Sequence, residues 1–547
     1  MQRQLELHDI QGNVTRAYGR YRFPLGRYFF LHIGDAKAGR QFVDDIRHRV
    51  TTAARWKEGE RPDVTLNIGF TFFGLYALGL PTRTLRAMPP EFIDGMKARA
   101  HVLGDRSVDL VEDSDGSWCA HWDPIWRENR HRDPGKDVHA WISMNAQAKP
   151  GSDQPVDALE QQTEWLRDRC NQTAGGVTIL AANGASGDAE FQSGKALFVT
   201  LPDGTKVPTA REHFGFTDGI GDPVYDGQYP DDDMRRRVVG RGKFMDHETG
   251  WQPIAAGEFV LGYPDEAQEL TPMAVPFSFA RNGSFMVYRK LHQNVGSFRD
   301  VVAEDAKIFA RVMGVDEAEA EVTLKAKIVG RWPDGVPLAK QPTFAEWQAF
   351  RAERGFDDPD PLKAAEAQYA YLKSSEPSDF RYADDIPGYK CPNGAHLRRS
   401  NPRDYLDPLN QPDAPNPNAT TQLNKRRRIL RRGLPYGDAG LGEGDDATEQ
   451  GVIFMAIGTS LFRQFEFVQQ QWLEYGLDFN LGNDTCPLLG DHSTHKRHVI
   501  PSDPNSGKPP FVMGNLRTFV ETRGGDYFFL PSMTALRMIA MGSTDPT

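Results

Sequence analysis

The chain has 547 residues, 39% of them hydrophobic and 25% charged, with 52 glycines and 38 prolines. That length exceeds one ordinary core, so two domains or one duplicated unit with insertions and long ordered loops are expected. A net charge of −11 argues against general nucleic-acid binding, and no apolar run approaches the roughly 20 residues of a membrane span. The N-terminus, Met1 to Asp9, has no apolar signal core, and the four cysteines (Cys119, Cys170, Cys391 and Cys486) show neither metal-ligand nor framework spacing. Both features point to a reducing cytoplasm.

Tyr28 to Ile33 reads as a strand. A helix over about 38–50 places Phe42, Val43, Ile46 and Val50 on one face. Val64, Leu66, Ile68 and Phe70 alternate as in a strand. His139 to Met144 gives a third strand. Leu159, Gln162, Trp165 and Leu166 mark a second helix, and Val177 to Leu180 a fourth strand. This order predicts an α+β, ferredoxin-like layer of antiparallel sheet and helices. The second half echoes it. Ser284 to Arg289 is a strand, and the next helix has Phe298, Val301, Val302, Ile308 and Phe309 inward. Gly451 to Ala456 is a buried strand, a helix carries Phe462, Phe465, Val468 and Trp472, and Asp526 to Leu530 closes the set. The expected domains are 1–225 and 226–547, the second swollen by an insertion between about 315 and 450.

Three segments carry chemistry. Glu212 to Gly219 holds Asp218 on a glycine-flanked turn. A turn aspartate bonding its own backbone is the plain reading. Gly215, Gly219 and Gly221 would also let the backbone approach a flat ligand closely. Cys391 to Arg403 holds His396 among Arg398, Arg399 and Arg403. That composition suits a buried dianionic cofactor such as haem, because arginine forks match propionates and neutral imidazole is a standard axial ligand. Cys391 is the competing ligand type. The third segment, Asn424 to Arg432, is basic but interrupted by Ile429 and Leu430. Its arginines are either a solvated face or the lining of a buried site. His492, His495 and His498 recur every three residues, but their charged flanks read as a solvated loop rather than a metal site.

These segments resemble those of the dye-decolourising peroxidases. Gly215-Phe216-Thr217-Asp218-Gly219 matches the family's GxxDG signature, Cys391 to Arg403 its proximal-histidine segment, and Ile429 to Gly437 its distal-arginine segment. Asp9 to Asn13, Gly330 to Leu338 and Gly524 to Ser532 add further matches, so the resemblance spans nearly the whole chain. The length and the Gly-Arg-Trp-Pro segment resemble the larger subgroup of that family. The resemblance implies a duplicated ferredoxin-like fold with one haem b in the C-terminal half, hydrogen peroxide as substrate, and bulky aromatic electron donors such as dyes and phenols.

By the same resemblance His396 is the proximal iron ligand, Asp218 the distal acid–base group and Arg431 the distal cation, with Arg432 as the alternative register. Arg403 would contact a propionate, while Gly219, Ile220, Gly221 and Phe454 would line the cofactor. The family often places a carboxylate behind the proximal histidine. Asp484 is the nearest match and Asp491 its competitor. An aspartate base implies an acidic optimum for dye oxidation, and surface Trp or Tyr would relay electrons from donors too bulky to reach the haem. Family members are often homodimers, and no feature of this sequence fixes the oligomeric state. The competing readings are a haem carrier or sensor without turnover, and a cofactor-free structural protein that leaves the motifs unexplained.

Overall fold

The computed structural model describes residues 4–19, 21–57, 59–105, 121–127, 135–411, 414, 416–493 and 496–544. Cys119 and His495 lie outside the described residues. The N-terminal half supplies strands β1 (Leu25–Ile33), β2 (Val64–Phe70), β3 (Ala140–Ala146) and β4 (Val177–Ile179). The C-terminal half supplies β5 (Ser284–Gln293), β6 (Leu430–Arg432), β7 (Gly451–Gly458) and β8 (Val520–Leu530). All eight belong to one sheet, ordered β6-β7-β5-β8-β2-β3-β1-β4.

Each half therefore runs second-third-first-fourth in its own strand order, the antiparallel ferredoxin-like arrangement repeated twice. The seam is narrow, with β8 meeting β2 at the Phe529–Phe70 pair. One apolar core nevertheless crosses it, packing Phe29, Ile68 and Trp141 with Phe285, Phe528 and Phe529.

Helix α1 (Ala36–Arg47) starts where the Asp35 carboxylate accepts the Ala38 N–H, and it buries Phe42, Val43 and Ile46. Helix α2 (Ala158–Gln172) buries Leu159 and Leu166. In the second half α3 (Val295–Met313) packs on α4 (Glu317–Val329). Phe298, Val301, Val302 and Phe309 face inward as expected, but Ile308 is exposed. Phe462 is exposed too, because Phe462–Glu466 and Val468–Leu473 are wound as π-helix rather than α-helix. The wider winding rotates residues away from the face that a 3.6-residue period assigns.

The 315–450 segment is not loop alone. It contains α4, helices Phe344–Arg354 and Pro361–Lys373, and the short α5 (His396–Ser400). Helix α4 ends at Gly330, with φ 96°, and a Cβ there would lie 2.8 Å from Leu397 Cβ. Glycine is what lets the end of α4 abut α5 and so set the position of His396. A last helix, α6 (Met533–Met541), packs against α1 and ties the chain's end to the N-terminal half.

Candidate active site

A cavity of about 320 Å³ lies between the C-terminal sheet and α5. Strand alternation supplies one wall. Val452 and Phe454 line the cavity while Ile453 and Met455 enter the core, and Leu291 does the same from β5. The opposite wall carries His396 and Leu397. Asp218, Ile220, Gly221, Arg403 and Arg431 line the same cavity. Gly219 is not among its lining, but it shapes the turn with φ 80° and donates its N–H to Asp218 Oδ1 at 2.6 Å.

The loop that carries Asp218 is held from three sides. Glu212 accepts the N–H groups of Phe214 (2.9 Å) and Phe216 (2.8 Å), and the Gln293 side chain donates to it. Thr217 donates its N–H and hydroxyl to Pro333 O, at 3.0 and 2.9 Å. That bond gives the Gly330–Leu338 segment a purpose, since it braces the Asp218 turn from below. Gly215 has open space where a Cβ would stand. Its left-handed φ of 100°, and not close packing within the protein, is what calls for glycine there.

Arg431 Nη1 meets Asp218 Oδ1 at 2.9 Å, and Nη2 donates to Ile220 O at 2.7 Å. The two side chains are 36% and 32% exposed, so the pair faces open space rather than solid core. Strand alternation in β6 sends Arg432 the other way, where it is buried, pairs with Asp222 at 2.6 Å and donates to Asn13 O. Asp222 also accepts the Arg431 N–H at 2.9 Å, so one carboxylate fixes both arginines.

The basic run is not a solvated face. Arg426 pairs with Asp265 at 2.8 Å, Arg427 lies 3.6 Å over the Phe467 ring, and Arg428 is buried. Arg428, Arg403 and Arg331 all line the cavity. Among the described residues their hydrogen bonds go to backbone carbonyls, not to carboxylates. Arg403 donates to Gly240 O and Phe380 O, Arg331 to Gly335 O and Pro377 O, and Arg428 to Gly221 O. Among the described residues Arg403 Nε has no hydrogen-bond partner. Burial, and then repulsion from Arg403, pulls Arg428 down to about 9. Burial likewise pulls Arg331 to about 10 and lowers Arg403. Three buried guanidiniums without a carboxylate partner are a cradle for a dianion, and the two propionates of haem fit it.

His396 suits the other end of that ligand. Burial, reinforced by the Arg431 charge, depresses its pKa to about 4, so the ring is neutral with a lone pair to offer. Its Nδ1 sits 3.5 Å from Cys486 Sγ. Neither candidate carboxylate takes that place: Asp484 pairs with Arg497 at 3.4 Å, and Asp491 accepts the Ser493 N–H. Cys391 is buried and does not line the cavity. His492 and His498, read from sequence as solvated, are buried and bond to Cys486 O (3.0 Å) and Lys327 O (3.2 Å).

No family model matches the chain. Among curated proteins it is 25% identical to a dye-decolorizing peroxidase of Mycetinis scorodonius, over 98% of this chain and 88% of that protein. It is 26% identical to a multifunctional dye peroxidase of an Amycolatopsis species, over 97% and 96% respectively. Both relatives are dye-decolorizing peroxidases, and the chain is similar to them over nearly its whole length. The fold of that family extends over the whole molecule. A solved dye-decolorizing peroxidase in complex with 2,6-dimethoxyphenol superposes with a TM-score of 0.66 at 24% identity, covering 98% of this chain and all of that one. No described helix is long and apolar enough to cross a membrane.

Proposed function

We propose that the chain is a haem peroxidase that reduces hydrogen peroxide to water and oxidises aromatic donors, dyes and phenols among them, by one-electron steps. The observation that carries this reading is the convergence on one cavity of a neutral histidine, an aspartate–arginine pair and three arginines lacking carboxylate partners. Haem b, one per chain, is the cofactor proposed, held by His396 at the iron and by Arg403, Arg331 and Arg428 at the propionates. Phe454, Ile220 and Gly221 would cover its faces. Bound there, haem supplies the redox centre that exchanges electrons with peroxide and, in turn, with the donors.

The protein's own part is proton and charge management. Asp218 accepts the first proton from the peroxide and returns it to the departing oxygen, which leaves as water. Arg431 fixes the Asp218 carboxylate through Nη1 and presents positive charge where negative charge develops on the departing oxygen. Two donors each contribute one electron and two protons are consumed, so one peroxide gives two waters.

The test is the bimolecular rate of the haem-loaded protein with peroxide. Asp218→Asn should keep haem bound and slow that rate by about 100-fold or more, the usual worth of a positioned acid–base group. Arg431→Leu should slow it more severely if charge stabilisation dominates. Unchanged rates in both variants would refute the distal roles. A wild-type protein that holds haem yet ignores peroxide would be a carrier or sensor.

A further inference from the structure

Behind His396 stands a sulfur atom. Cys486 Sγ lies 3.5 Å from His396 Nδ1, and the thiol is fully buried. The segment around it is fixed by backbone and side-chain bonds. Cys486 N–H donates to Leu473 O at 2.6 Å, and His492 Nε2 bonds to Cys486 O at 3.0 Å. Arg399, one turn along α5 from His396, donates to Trp472 O and Asp484 O at 2.6 and 2.9 Å. The helix that carries the histidine and the loop that carries the cysteine are thus clamped together by Arg399. The two carboxylates closest in sequence, Asp484 and Asp491, are turned to other partners.

The role of the ring decides which way the contact points. A histidine that offers its Nε2 lone pair to a ligand in the cavity carries its proton on Nδ1. Cys486 Sγ, 3.5 Å from that Nδ1, is then the acceptor.

We propose that Cys486 is the positioning residue of the proximal histidine. It selects the Nδ1–H tautomer and fixes the ring plane, and as a weak sulfur acceptor it polarises the imidazole less than a carboxylate would. The assignment rests on His396 being the haem ligand. Its consequence is electronic: a less polarised imidazole is a weaker donor, so the iron's reduction potential is set higher than a carboxylate at the same position would allow.

The test uses the haem-loaded full chain and two readouts other than turnover, the ferric–ferrous reduction potential and the iron–histidine stretching frequency of the ferrous protein by resonance Raman. Cys486→Asp should shift the potential down and the stretch up. Cys486→Ala, which removes the acceptor, should shift the stretch down. Cys486→Ser keeps a small acceptor and serves if the aspartate variant does not fold. It should fall on the wild-type side of Cys486→Ala. Cys391→Ala, another buried thiol five residues before His396, should move neither readout. Haem-loaded Cys486 variants indistinguishable from wild type in both readouts, with His396→Ala still losing the Soret band, would overturn the assignment and leave the haem reading intact. A wild-type chain that takes up no haem would overturn both.

Discussion

The distal chemistry turns on single atoms. Arg431 and Arg432 are adjacent in sequence and opposite in space, since a three-residue strand sends one to the cavity and the other into an ion pair with Asp222. The motif made Arg431 the first choice, and β6 supplies the reason, which needs the pairing with β7 to be seen. Asp218 was legible from its glycines and its motif. The partner of Nδ1 was not, because Cys486 reaches His396 across 90 residues and nothing in its sequence context marks it. The resemblance to a family with a carboxylate in that place points to Asp484 and Asp491 instead. At this scale the prediction is a pH profile. With an aspartate, of reference pKa about 3.9, as the distal base, dye oxidation should be fastest at acidic pH. A buffer series with its maximum above neutrality would contradict the role given to Asp218.

The elements around the proximal side explain how a short helix can fix the histidine proposed as iron ligand. Helix α5 has only five residues and cannot be stable by itself. It is fixed by Gly330 beneath it and by Arg399 through two buried carbonyls. Arg399→Leu should cost about 3 kcal/mol or more in urea unfolding, because both carbonyls lose a charged donor in a buried place. A loss under about 0.5 kcal/mol would mean the clamp is dispensable. The same wall holds His492 and His498, whose pKa values burial depresses to about 4 and about 3. Their folded values lie below the unfolded value of 6.5. The unfolded chain therefore binds more protons below that pH, and stability falls as pH drops from about 6.5 towards 4. Each histidine contributes a slope of up to about 1.4 kcal/mol per pH unit. His498→Gln should flatten that dependence, as measured by urea midpoints at a series of pH values. Regular strands and amphipathic helices were readable from their periods. The π-wound Phe462–Leu473 stretch and the buried histidines were not, since a 3.6-residue spacing groups Phe462 with the inward residues and charged flanks suggest solvent for the histidines.

The main sheet is built from two copies of a four-strand order, and the site depends on both halves of the chain. Asp218 arrives from the connection after the first copy, while His396, Arg403 and Arg431 come from within the second. The duplication was legible as a repeated order of elements. The edge-to-edge fusion of the two sheets was not, because a single pair, Phe529 and Phe70, joins them. Gly69 sits at that seam, where a Cβ would lie 3.0 Å from Leu530 Cδ2 and 3.2 Å from Phe528 Cβ. Gly69→Val should therefore destabilise the chain by about 1–3 kcal/mol. Because the core crosses the seam, the far-UV circular dichroism and Soret transitions should move together. Separate midpoints would show that the halves unfold independently.

The proposed function requires that this cavity bind haem through His396 and turn over peroxide. Its most direct test is a stopped-flow Soret spectrum of the haem-loaded protein mixed with one equivalent of hydrogen peroxide, beside His396→Ala. The wild type should show a Soret band that changes rapidly and returns on addition of a phenolic donor, and the variant a band lost or altered before any peroxide is added. A band indifferent to peroxide, or one unaffected by removing His396, would contradict it.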